Sequence, residues 1–544
     1  MREKVSQIGN SGLKRSKRIV SAVSDIHDVL SPNSKRLEWL ILAWGILLRL
    51  VPYIAKRSLW LDESELALNV IHRSFAGLLK PLNYEQGAPV GFLILEKAAV
   101  RVLGSGEYGL RFVPLLCGVI SLFIFYRLAK LSISPKAVPI ALGLFALSGP
   151  LIYYSSEVKQ YSGDVVVAVL LLYAAIYYES YRLNRWALAA FGVLGAASIW
   201  FSHPSVFVLV GVGLSLALFG CARSRWPGVR RLSVVFLLWA LGFAACYVLS
   251  LRHLSNDKAL LGYWSFAFPP SPLLSLTSVR WFLDTLFGVF RNPAGLGFSG
   301  LAALAFLVGC ASMFSRNAEK ALILGLPLFP TLIAAGLHKY PFNGRLILFL
   351  VPTLLLFVAE GAERIWSKTR DEAPIIGACL VGLLFLQPLL FSTYDLIKPR
   401  ASDLPLGIVH GREEIRPVMK YLQDQQQEGD VLYVYNYAVP AFLYYAPRFS
   451  LNNLTLVTGS SGGWEGYQRD LNRLRGHRRV WFLFSHTRNG AGFDEEPFFL
   501  YLSDKSGTKL DSFQTAGAAG YLYDLAGTSN AVARNARQAQ EPVR

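Results

Sequence analysis

The chain has 544 residues, of which 53% are hydrophobic and only 17% are charged, and its mean hydropathy is +0.37. This composition excludes an ordinary soluble protein, because a soluble surface of this size would carry far more charge. The formal net charge of +18 comes with basic residues gathered in short loops between apolar segments, which favours membrane topology over nucleic-acid binding as its explanation.

The N-terminal part of the chain predicts a tail followed by a membrane domain. Residues 1–38 are basic and polar and precede any apolar run, so we predict a cytoplasmic tail and not a cleaved signal peptide. Residues 39–393 repeat apolar runs of a length that crosses a bilayer as a helix. We predict about eleven transmembrane helices, at roughly 39–55, 109–128, 137–155, 164–181, 187–202, 204–221, 232–250, 296–315, 321–337, 344–362 and 374–393. In the first of them, Arg49 lies near the outer end, where its side chain can snorkel.

The basic residues of the short loops decide which apolar segments cross the membrane. Residues 89–103 and about 278–290 are apolar but short, and placing both at the outer interface puts every basic short loop on the cytoplasmic side. The N-terminus is then inside and the C-terminal domain outside. Four polar segments share the outer face in this topology, at 56–108, 154–163, 252–295 and 338–343, with juxtamembrane helices expected in 56–108 and 252–295.

An acidic pair, Asp62 and Glu63, follows the first predicted span at the start of an amphipathic helix. The structural interpretation is an N-cap, because Asp is common at helix starts and acids are favoured in the first turn. The functional interpretation depends on what else reaches the same face of the membrane.

Two further outer segments carry ionisable groups at the membrane edge. Glu157, Lys159 and Asp164 lie between two spans, and Asp164 begins an unbroken apolar run, where an ionised carboxylate is costly unless it is paired or solvated. An ion pair that marks the membrane edge is the alternative. Arg345 opens the tenth span against the charge bias, which either snorkelling or a bound anion explains.

Together these segments favour a lipid phosphate-sugar as substrate. Its lipid chain would stay in the bilayer while its phosphate meets Arg345, Lys339 or Lys159. The competing hypotheses are a lipid or glycolipid transporter or flippase without bond chemistry, and a ligase that moves a whole oligosaccharide from a lipid diphosphate. The transporter is disfavoured because the ionisable residues gather at the outer edge and not at the midplane.

Five short motifs occur in an order that resembles the GT-C superfamily of glycosyltransferases. The most similar branch is bacterial family 39, which resembles protein O-mannosyltransferases and the aminoarabinose transferase of lipid A. The resemblance covers roughly residues 39–365 and implies an inverting enzyme with a polyprenyl-phosphate sugar donor, in the bacterial plasma membrane. The motifs are Leu61-Asp62-Glu63-Ser64, Gln86-Gly87-Ala88-Pro89-Val90-Gly91-Phe92-Leu93, Leu110-Arg111-Phe112-Val113-Pro114, residues 154–164, and Tyr340-Pro341-Phe342 with Gly344-Arg345.

The resemblance also implies roles for individual residues. Asp62 matches the general base, Glu63 its partner and Asp164 a second acid. Arg345 resembles the cation that meets the donor phosphate, and Lys159 replaces a more usual Arg. Some relatives bind a divalent metal near the acids, for which this chain offers Glu85 without a clear His partner. The predicted site is completed by Lys339 at the donor phosphate and by the supporting residues Glu157, Tyr340, Glu85 and Gln86.

The C-terminal part, residues 394–544, contains no apolar run long enough to span a bilayer. We predict an extracytoplasmic α/β domain with parallel strands and a disordered end from Gly527 onward. Strands are expected at Asp430–Tyr435, Arg479–Ser485 and Gly520–Leu525, and helices at Glu413–Gln427 and before Tyr445. For the tyrosines of this domain, core packing is favoured over stacking on sugars. The identity of the sugar stays open, as does that of the acceptor, whether glycan, lipid or protein.

Overall fold

A computed structural model describes residues 35–181, 185–222, 226–254, 258–397, 413–451, 454–460, 463–487 and 494–526. Most of the predicted N-terminal tail and the end predicted to be disordered lie outside these ranges. Residues up to 397 are almost entirely helical, and a five-stranded sheet follows in the C-terminal part. The predicted fold class, a polytopic helical membrane protein with a C-terminal α/β domain, is confirmed.

The membrane part contains seventeen helices among the described residues, interrupted by short 3-10 and π segments. They are α1 (Lys35–Ile54), α2 (Leu61–His72), α3 (Val90–Leu103), α4 (Glu107–Ser132), α5 (Val138–Leu147), α6 (Gly149–Tyr154), α7 (Tyr161–Tyr181), α8 (Arg185–Phe201), α9 (Ser205–Ala222), α10 (Trp226–Cys246), α11 (Arg252–Leu254), α12 (Lys258–Tyr263), α13 (Leu276–Arg291), α14 (Ser299–Gly325), α15 (Leu328–Gly336), α16 (Val351–Thr369) and α17 (Pro374–Ile397).

Seven helical segments of the described chain are long and apolar enough to cross a bilayer, and three more are apolar but shorter. The long ones are Lys35–Ile54, Glu107–Ser132, Tyr161–Ser180, Leu232–Leu251, Ser299–Gly325, Gly344–Thr369 and Pro374–Tyr394, and the short ones are Val138–Leu147, Trp186–Phe201 and Ser205–Phe219. Each lies on one predicted span except Ser299–Gly325, which covers 296–315 and enters 321–337 across a kink at Asn317, so the chain is a multi-pass membrane protein. The total of eleven crossings stays a prediction, because the short helices do not meet the length criterion by themselves.

The predicted span 137–155 is divided at Ser148, where α5 ends and α6 begins. Ser148 has an extended backbone, and Pro150 carries no N–H to bond the carbonyl of Ala146. The guanidinium of Arg49 reaches this break, donating to the carbonyl oxygens of Ala146 at 3.3 Å and Phe145 at 3.4 Å. Arg49 is fully buried, so the expectation that it snorkels is wrong. Its guanidinium donates hydrogen bonds to carbonyl groups that lack an intrahelical donor because of the break.

Helices α14 and α16 approach each other closely through glycines. A Cβ atom added to Gly361 would lie 1.7 Å from the carbonyl oxygen of Ala305, and one added to Gly309 would lie 1.9 Å from that of Phe357. Small residues permit this backbone contact, as is common between helices in membranes. The contact fixes α16, the helix that continues from the segment bearing Arg345.

The C-terminal domain is a mixed sheet flanked by helices. Its strands are β1 (Val431–Val434), β2 (Thr455–Thr458), β3 (Val480–Ser485), β4 (Thr508–Thr515) and β5 (Ala518–Asp524), in the order β2-β1-β3-β5-β4. Its helices are α18 (Ile415–Gln425), α19 (Val439–Tyr445), α20 (Gly463–Leu474) and α21 (Glu496–Ser506). The three predicted strands are confirmed, whereas β2 and β4 were not predicted.

The expectation of parallel strands is only half right. Strands β2, β1 and β3 are parallel, but β5 is antiparallel to both β3 and β4. Between β4 and β5 the chain has only Ala516 and Gly517, and Gly517 has a φ of +68°. A two-residue connection can join antiparallel strands only, because a parallel crossover needs a dozen or more residues.

Candidate active site

Asp62 is the second residue of α2, which begins at Leu61 with Trp60 as its N-cap. The N-cap interpretation of Asp62 is therefore wrong, since the capping position belongs to the preceding tryptophan. The side chain of Asp62 is 19% exposed, in contrast to the fully buried Glu63 beside it. Because neighbouring helical residues point in different directions, the two acids have separate surroundings.

Asp62 forms an ion pair with Arg345, whose Nη2 lies 2.6 Å from Oδ2, and Lys159 Nζ lies 4.0 Å from the same oxygen. These residues come from three distant parts of the sequence, as the charge-derived topology predicted. The other two donor atoms of the Arg345 side chain, Nε and Nη1, are buried and have no hydrogen-bond partner among the described residues. A buried guanidinium with unused donors is costly unless a further acceptor satisfies them.

Three aromatic rings surround the guanidinium of Arg345. Its Cζ lies 5.8 Å from the ring centre of Trp60, 5.5 Å from Tyr161 and 5.6 Å from Trp264. Rings at this distance stabilise a cation and keep water away from it. Trp264 was not predicted as a site residue, and only its place in an outer segment could have indicated it.

Lys159 continues the polar network away from Arg345. It donates to the side-chain oxygen of Gln86, and Gln86 Nε2 donates to Glu65 Oε2 at 2.6 Å. Burial lowers the pKa of Lys159, although Asp62 opposes this change. Burial and the charge of Asp62 raise the pKa of Glu65 to about 8. The predicted pairing of Lys159 with Glu157 or Asp164 is thus replaced by contacts with Asp62 and Gln86.

Glu63 is held by hydrogen bonds on both of its oxygens. Arg111 donates from Nε to Oε1 at 2.9 Å and from Nη2 to Oε2 at 2.8 Å. The backbone N–H groups of Val158 and Trp60 donate to the same two oxygens at 2.9 and 3.1 Å. Burial alone would raise the pKa of Glu63, but Arg111 and Arg57 outweigh it and keep that pKa below its usual range. Glu63 thereby ties α2 to the loop that carries Lys159.

Glu157 and Asp164 lie behind the Asp62–Arg345 pair. Both carboxyl oxygens of Glu157 are buried without a hydrogen-bond partner among the described residues, and burial together with Glu63 raises its pKa to about 7. Asp164 is 5% exposed and lies one helical turn beyond Tyr161 in α7.

The remaining predicted residues lie at the edge of this group or outside it. Lys339 is exposed, unlike Lys159 and Arg345. The hydroxyl of Tyr340 donates to the carbonyl of Leu346 at 2.6 Å, which braces the segment that bears Arg345. Glu85 is exposed and has a φ of +53°. Glu85 and Gln86 line an open groove together with apolar residues that include Leu249 and Leu254.

The divalent metal that the family resemblance raises finds no suitable ligand set here. Across the described segments, no group of three or more His, Cys, Asp or Glu side chains could hold a metal ion. Asp62 is paired with Arg345 and approached by Lys159, so the strongest nearby charges on this carboxylate are cations. The residues present do not fit a bound metal, and the chemistry below does not use one.

The C-terminal domain contacts the loop that immediately precedes Asp62. The carboxylate of Glu414 accepts from the backbone N–H of Ser58 at 3.2 Å and from its hydroxyl at 2.9 Å. The hydroxyl of Tyr445 accepts from the N–H of Leu59 at 2.9 Å, and Arg416 Nε donates to the Ser58 hydroxyl at 3.1 Å. The loop is therefore fixed from one side by Glu63 and from the other by this domain.

Comparison with known proteins gives matches at the level of structure only. No family model matches the chain, and no curated protein matches it either. Crystal structures of ArnT from Cupriavidus metallidurans are similar: the apo form has a TM-score of 0.52 at 14% identity, and the form bound to undecaprenyl phosphate has 0.53 at 13%. Each similarity covers 89% of this chain and 97% of that chain.

A crystal structure of the Archaeoglobus fulgidus oligosaccharyltransferase, in complex with Zn and sulfate, is similar with a TM-score of 0.50 at 11% identity. That similarity covers 89% of this chain and 72% of the other. At such low identities the likeness establishes the fold alone, so the chain shares the fold of ArnT and of the oligosaccharyltransferase, which agrees with the fold that the resemblance implies.

Proposed function

We propose that this chain of GT-C fold is an inverting glycosyltransferase, which moves a sugar from a polyprenyl-phosphate donor to a hydroxyl group of an acceptor. The observation that carries the proposal is the buried Arg345 beside Asp62, with two donor atoms that no described residue uses. A phosphate oxygen of the donor would satisfy one of these donors, because a guanidinium forms strong charge-assisted hydrogen bonds with phosphate.

The reaction follows from the relative positions of these groups. The acceptor oxygen attacks C1 of the sugar while the bond from C1 to the phosphate oxygen breaks, so the configuration at C1 is inverted. Asp62 takes the proton of the attacking hydroxyl, and the lipid phosphate leaves with the electron pair. Arg345 and Lys159 offset the charge that grows on this phosphate in a partly dry site, where such stabilisation is strongest.

The membrane setting supports a lipid donor. Arg345 lies at the start of a segment long and apolar enough to cross the bilayer, Gly344–Thr369, so a phosphate bound there can keep its polyprenyl chain in the lipid. ArnT, which shares the fold, has been crystallised with undecaprenyl phosphate. We assign the reaction to the extracytoplasmic side of a bacterial plasma membrane, with the N-terminus inside, from the distribution of basic loops.

The site residues divide into those that act on substrate and those that position them. Asp62 is the base, Arg345 and Lys159 bind the donor phosphate, and Gln86 orients Lys159. Glu63 is assigned a positioning role because four donor groups occupy its oxygens. The remaining predicted groups, which include Glu157 and Asp164, are assigned only an electrostatic effect on the Asp62–Arg345 pair.

The test uses purified protein in vesicles with labelled undecaprenyl-phosphate sugars, followed by thin-layer analysis. Asp62→Asn should lower donor consumption by about 10²–10⁴-fold, the usual contribution of a general base. Asp284→Asn is the matched control, because Asp284 is 74% exposed on α13 and pairs with its neighbour Arg280.

Two outcomes would contradict the proposal. Undiminished donor consumption by Asp62→Asn would show that Asp62 is not the base. Movement of intact donor across the bilayer without cleavage would indicate a flippase. A lipid-diphosphate oligosaccharide supplied in the same assay distinguishes the ligase, which would consume it in preference to the monophosphate donor.

A further inference from the structure

The strand order of the C-terminal sheet reverses at one point, and we call the region beyond the carboxyl ends of the strands at that point the crevice. The parallel half of the sheet has the order β2-β1-β3, so the chain leaves β1 toward one side and returns to the other side for β3. Ligands of open α/β sheets bind beyond the carboxyl ends of strands at such a reversal. Here the adjacent carboxyl ends are those of β1 and β3, which are followed by Tyr435 and by His486.

One ring nitrogen of His486 could form a hydrogen bond with a ligand. His486 Nδ1 contacts the carboxylate of Glu413, which fixes the ring through one nitrogen. Its other nitrogen, Nε2, is buried and has no hydrogen-bond partner among the described residues. The backbone of His486 has a φ of +61°, a left-handed conformation that costs energy in a non-glycine residue and is found more often at functional sites.

The ring of His486 joins this crevice to the proposed active site. Its centre lies 4.8 Å from that of Trp60, and Trp60 lies against the guanidinium of Arg345 at 5.8 Å. Only one aromatic ring therefore separates His486 from the Asp62–Arg345 pair. The contacts of Glu414 and Tyr445 with residues 58 and 59 hold the two parts in this relation.

The crevice lies on the side from which an acceptor would approach. A single displacement requires the hydroxyl to attack C1 on the face opposite the departing phosphate. The donor phosphate is assigned to Arg345 and Lys159, and the lipid chain of this donor lies toward the transmembrane segments. The C-terminal domain packs on α2 from the other side, with α19 against that helix.

The aromatic residues of this edge indicate what it would bind. Four tyrosines of the domain are buried, with exposures of 5% or less, so their predicted core packing is confirmed: Tyr433, Tyr435, Tyr444 and Tyr445. Tyr437 differs, because it is 45% exposed and its ring lies 5.8 Å from that of Tyr435 at the end of β1. Tyr437 follows β1 and His486 follows β3, and these strands are adjacent and parallel, so an exposed aromatic ring and a hydrogen-bonding group share one edge of the sheet. Such an edge is suited to a sugar, which has both apolar C–H faces and hydroxyl groups.

We propose that this crevice, defined by His486, Tyr437 and Trp60, binds a saccharide acceptor, and that His486 Nε2 forms a hydrogen bond with one of its hydroxyl groups. The inference rests on the proposed function and names the acceptor side of the same reaction. His486 is a binding residue in it, while Asp62 remains the base.

The test measures transfer of labelled sugar from undecaprenyl phosphate to saccharides extracted from the envelope of the source cell. His486→Phe keeps a ring against Trp60 but removes Nε2. It should raise the half-saturating concentration of the extract about tenfold, as expected for the loss of one hydrogen bond, and leave the Kd for undecaprenyl phosphate unchanged. Tyr444→Phe is the matched control, because its hydroxyl bonds Ser105 at the same domain interface.

Each result decides a different point. If His486→Phe keeps the wild-type half-saturating concentration and transfer falls only in His486→Ala, the inference is overturned. His486 would then be a packing residue. Release of sugar to water that the saccharide extract does not alter would also overturn it, while leaving glycosyl chemistry intact. Failure of the wild-type protein to cleave the donor would instead refute the proposed function, because it does not depend on His486.

Discussion

Replacing Glu63 by Gln tests whether this acid positions the site or takes part in the reaction. The substitution keeps the shape of the side chain but removes the charge that Arg111 contacts at 2.8 and 2.9 Å. Both side chains are almost fully buried, at 0% and 1% exposure. Removing one partner of a buried pair costs about 3–5 kcal/mol, since the other charge stays buried without compensation.

The assay is thermal unfolding of the purified protein in detergent, read as an apparent midpoint. We expect Glu63→Gln to lower the midpoint by about 3–4 °C, since the shift is the lost free energy divided by an unfolding entropy that grows with chain length. Glu38→Gln is the control, because Glu38 pairs with a 40% exposed Lys130 and such pairs contribute about 0–1 kcal/mol. The double variant Glu63→Gln, Arg111→Gln should lose less than the sum of the single variants.

The pH dependence supplies a second measurement on the same residue. The folded-state pKa of Glu63 is below its usual range, so its stabilisation is present above the unfolded pKa and is lost as pH falls through the folded value. The difference between wild type and Glu63→Gln should therefore shrink in acid. A variant with the wild-type midpoint but no transfer activity would refute this reasoning and make Glu63 catalytic.

Three further predictions test other parts of the structure. Glu107→Gln should loosen the C-terminal domain, because Glu107 contacts Arg416 and Arg448 at 3.2 Å each, and faster hydrogen exchange in residues 413–451 would report it. Glu157→Gln should raise the unfolding midpoint relative to wild type, and by more at pH 8 than at pH 5. The folded-state pKa of Glu157 is about 7, so the wild-type folded state loses stability as pH rises above the unfolded-state pKa of about 4.3. An equal difference at both pH values would contradict this prediction. Gly361→Ala should reduce the yield of folded protein, since overpacking costs about 1–3 kcal/mol or more, whereas Gly382→Ala, which meets nothing within 4 Å, should not.

The helical part of the fold was predictable because a bilayer imposes a length on every span. Apolar runs therefore coincide with helices throughout the described membrane part. The break at Ser148 was not predicted, although Gly149-Pro150 is a local signal for it. The role of Arg49 could not be predicted, because its partners are carbonyls of α5, almost a hundred residues away.

The C-terminal strands were predicted where they are buried and missed where they are exposed. Strands β1 and β3 are buried at every residue, whereas β2 is mostly exposed and lies at the edge of the sheet. Its sequence, Thr-Leu-Val-Thr, is too short for alternation to be recognised. The antiparallel arrangement of β4 and β5 depends on the short turn at Gly517, whose consequence was not drawn from the sequence.

The site was predictable in its ionised pairs and not in its apolar surroundings. Charge bias placed Asp62, Lys159 and Arg345 on one face, and the structure brings both cations to within 4.0 Å of the Asp62 carboxylate. Trp264 and His486 gave no comparable signal, because aromatic residues are frequent throughout this chain, at 13% of the sequence. Their importance depends on tertiary contacts alone.

Four consecutive residues, from Trp60 to Glu63, connect three parts of the protein. Trp60 contacts the C-terminal domain through His486, Asp62 meets the cations of the site, and Glu63 binds the buried Arg111. Trp60 precedes α2 as its N-cap, and the side chains of Asp62 and Glu63 diverge by about 100° in the first turn, so this short segment can serve three directions. Displacement of the C-terminal domain would therefore move Trp60 relative to Arg345 without breaking the Glu63–Arg111 pair. A change in acceptor binding with unchanged donor binding is the expected signature of that movement.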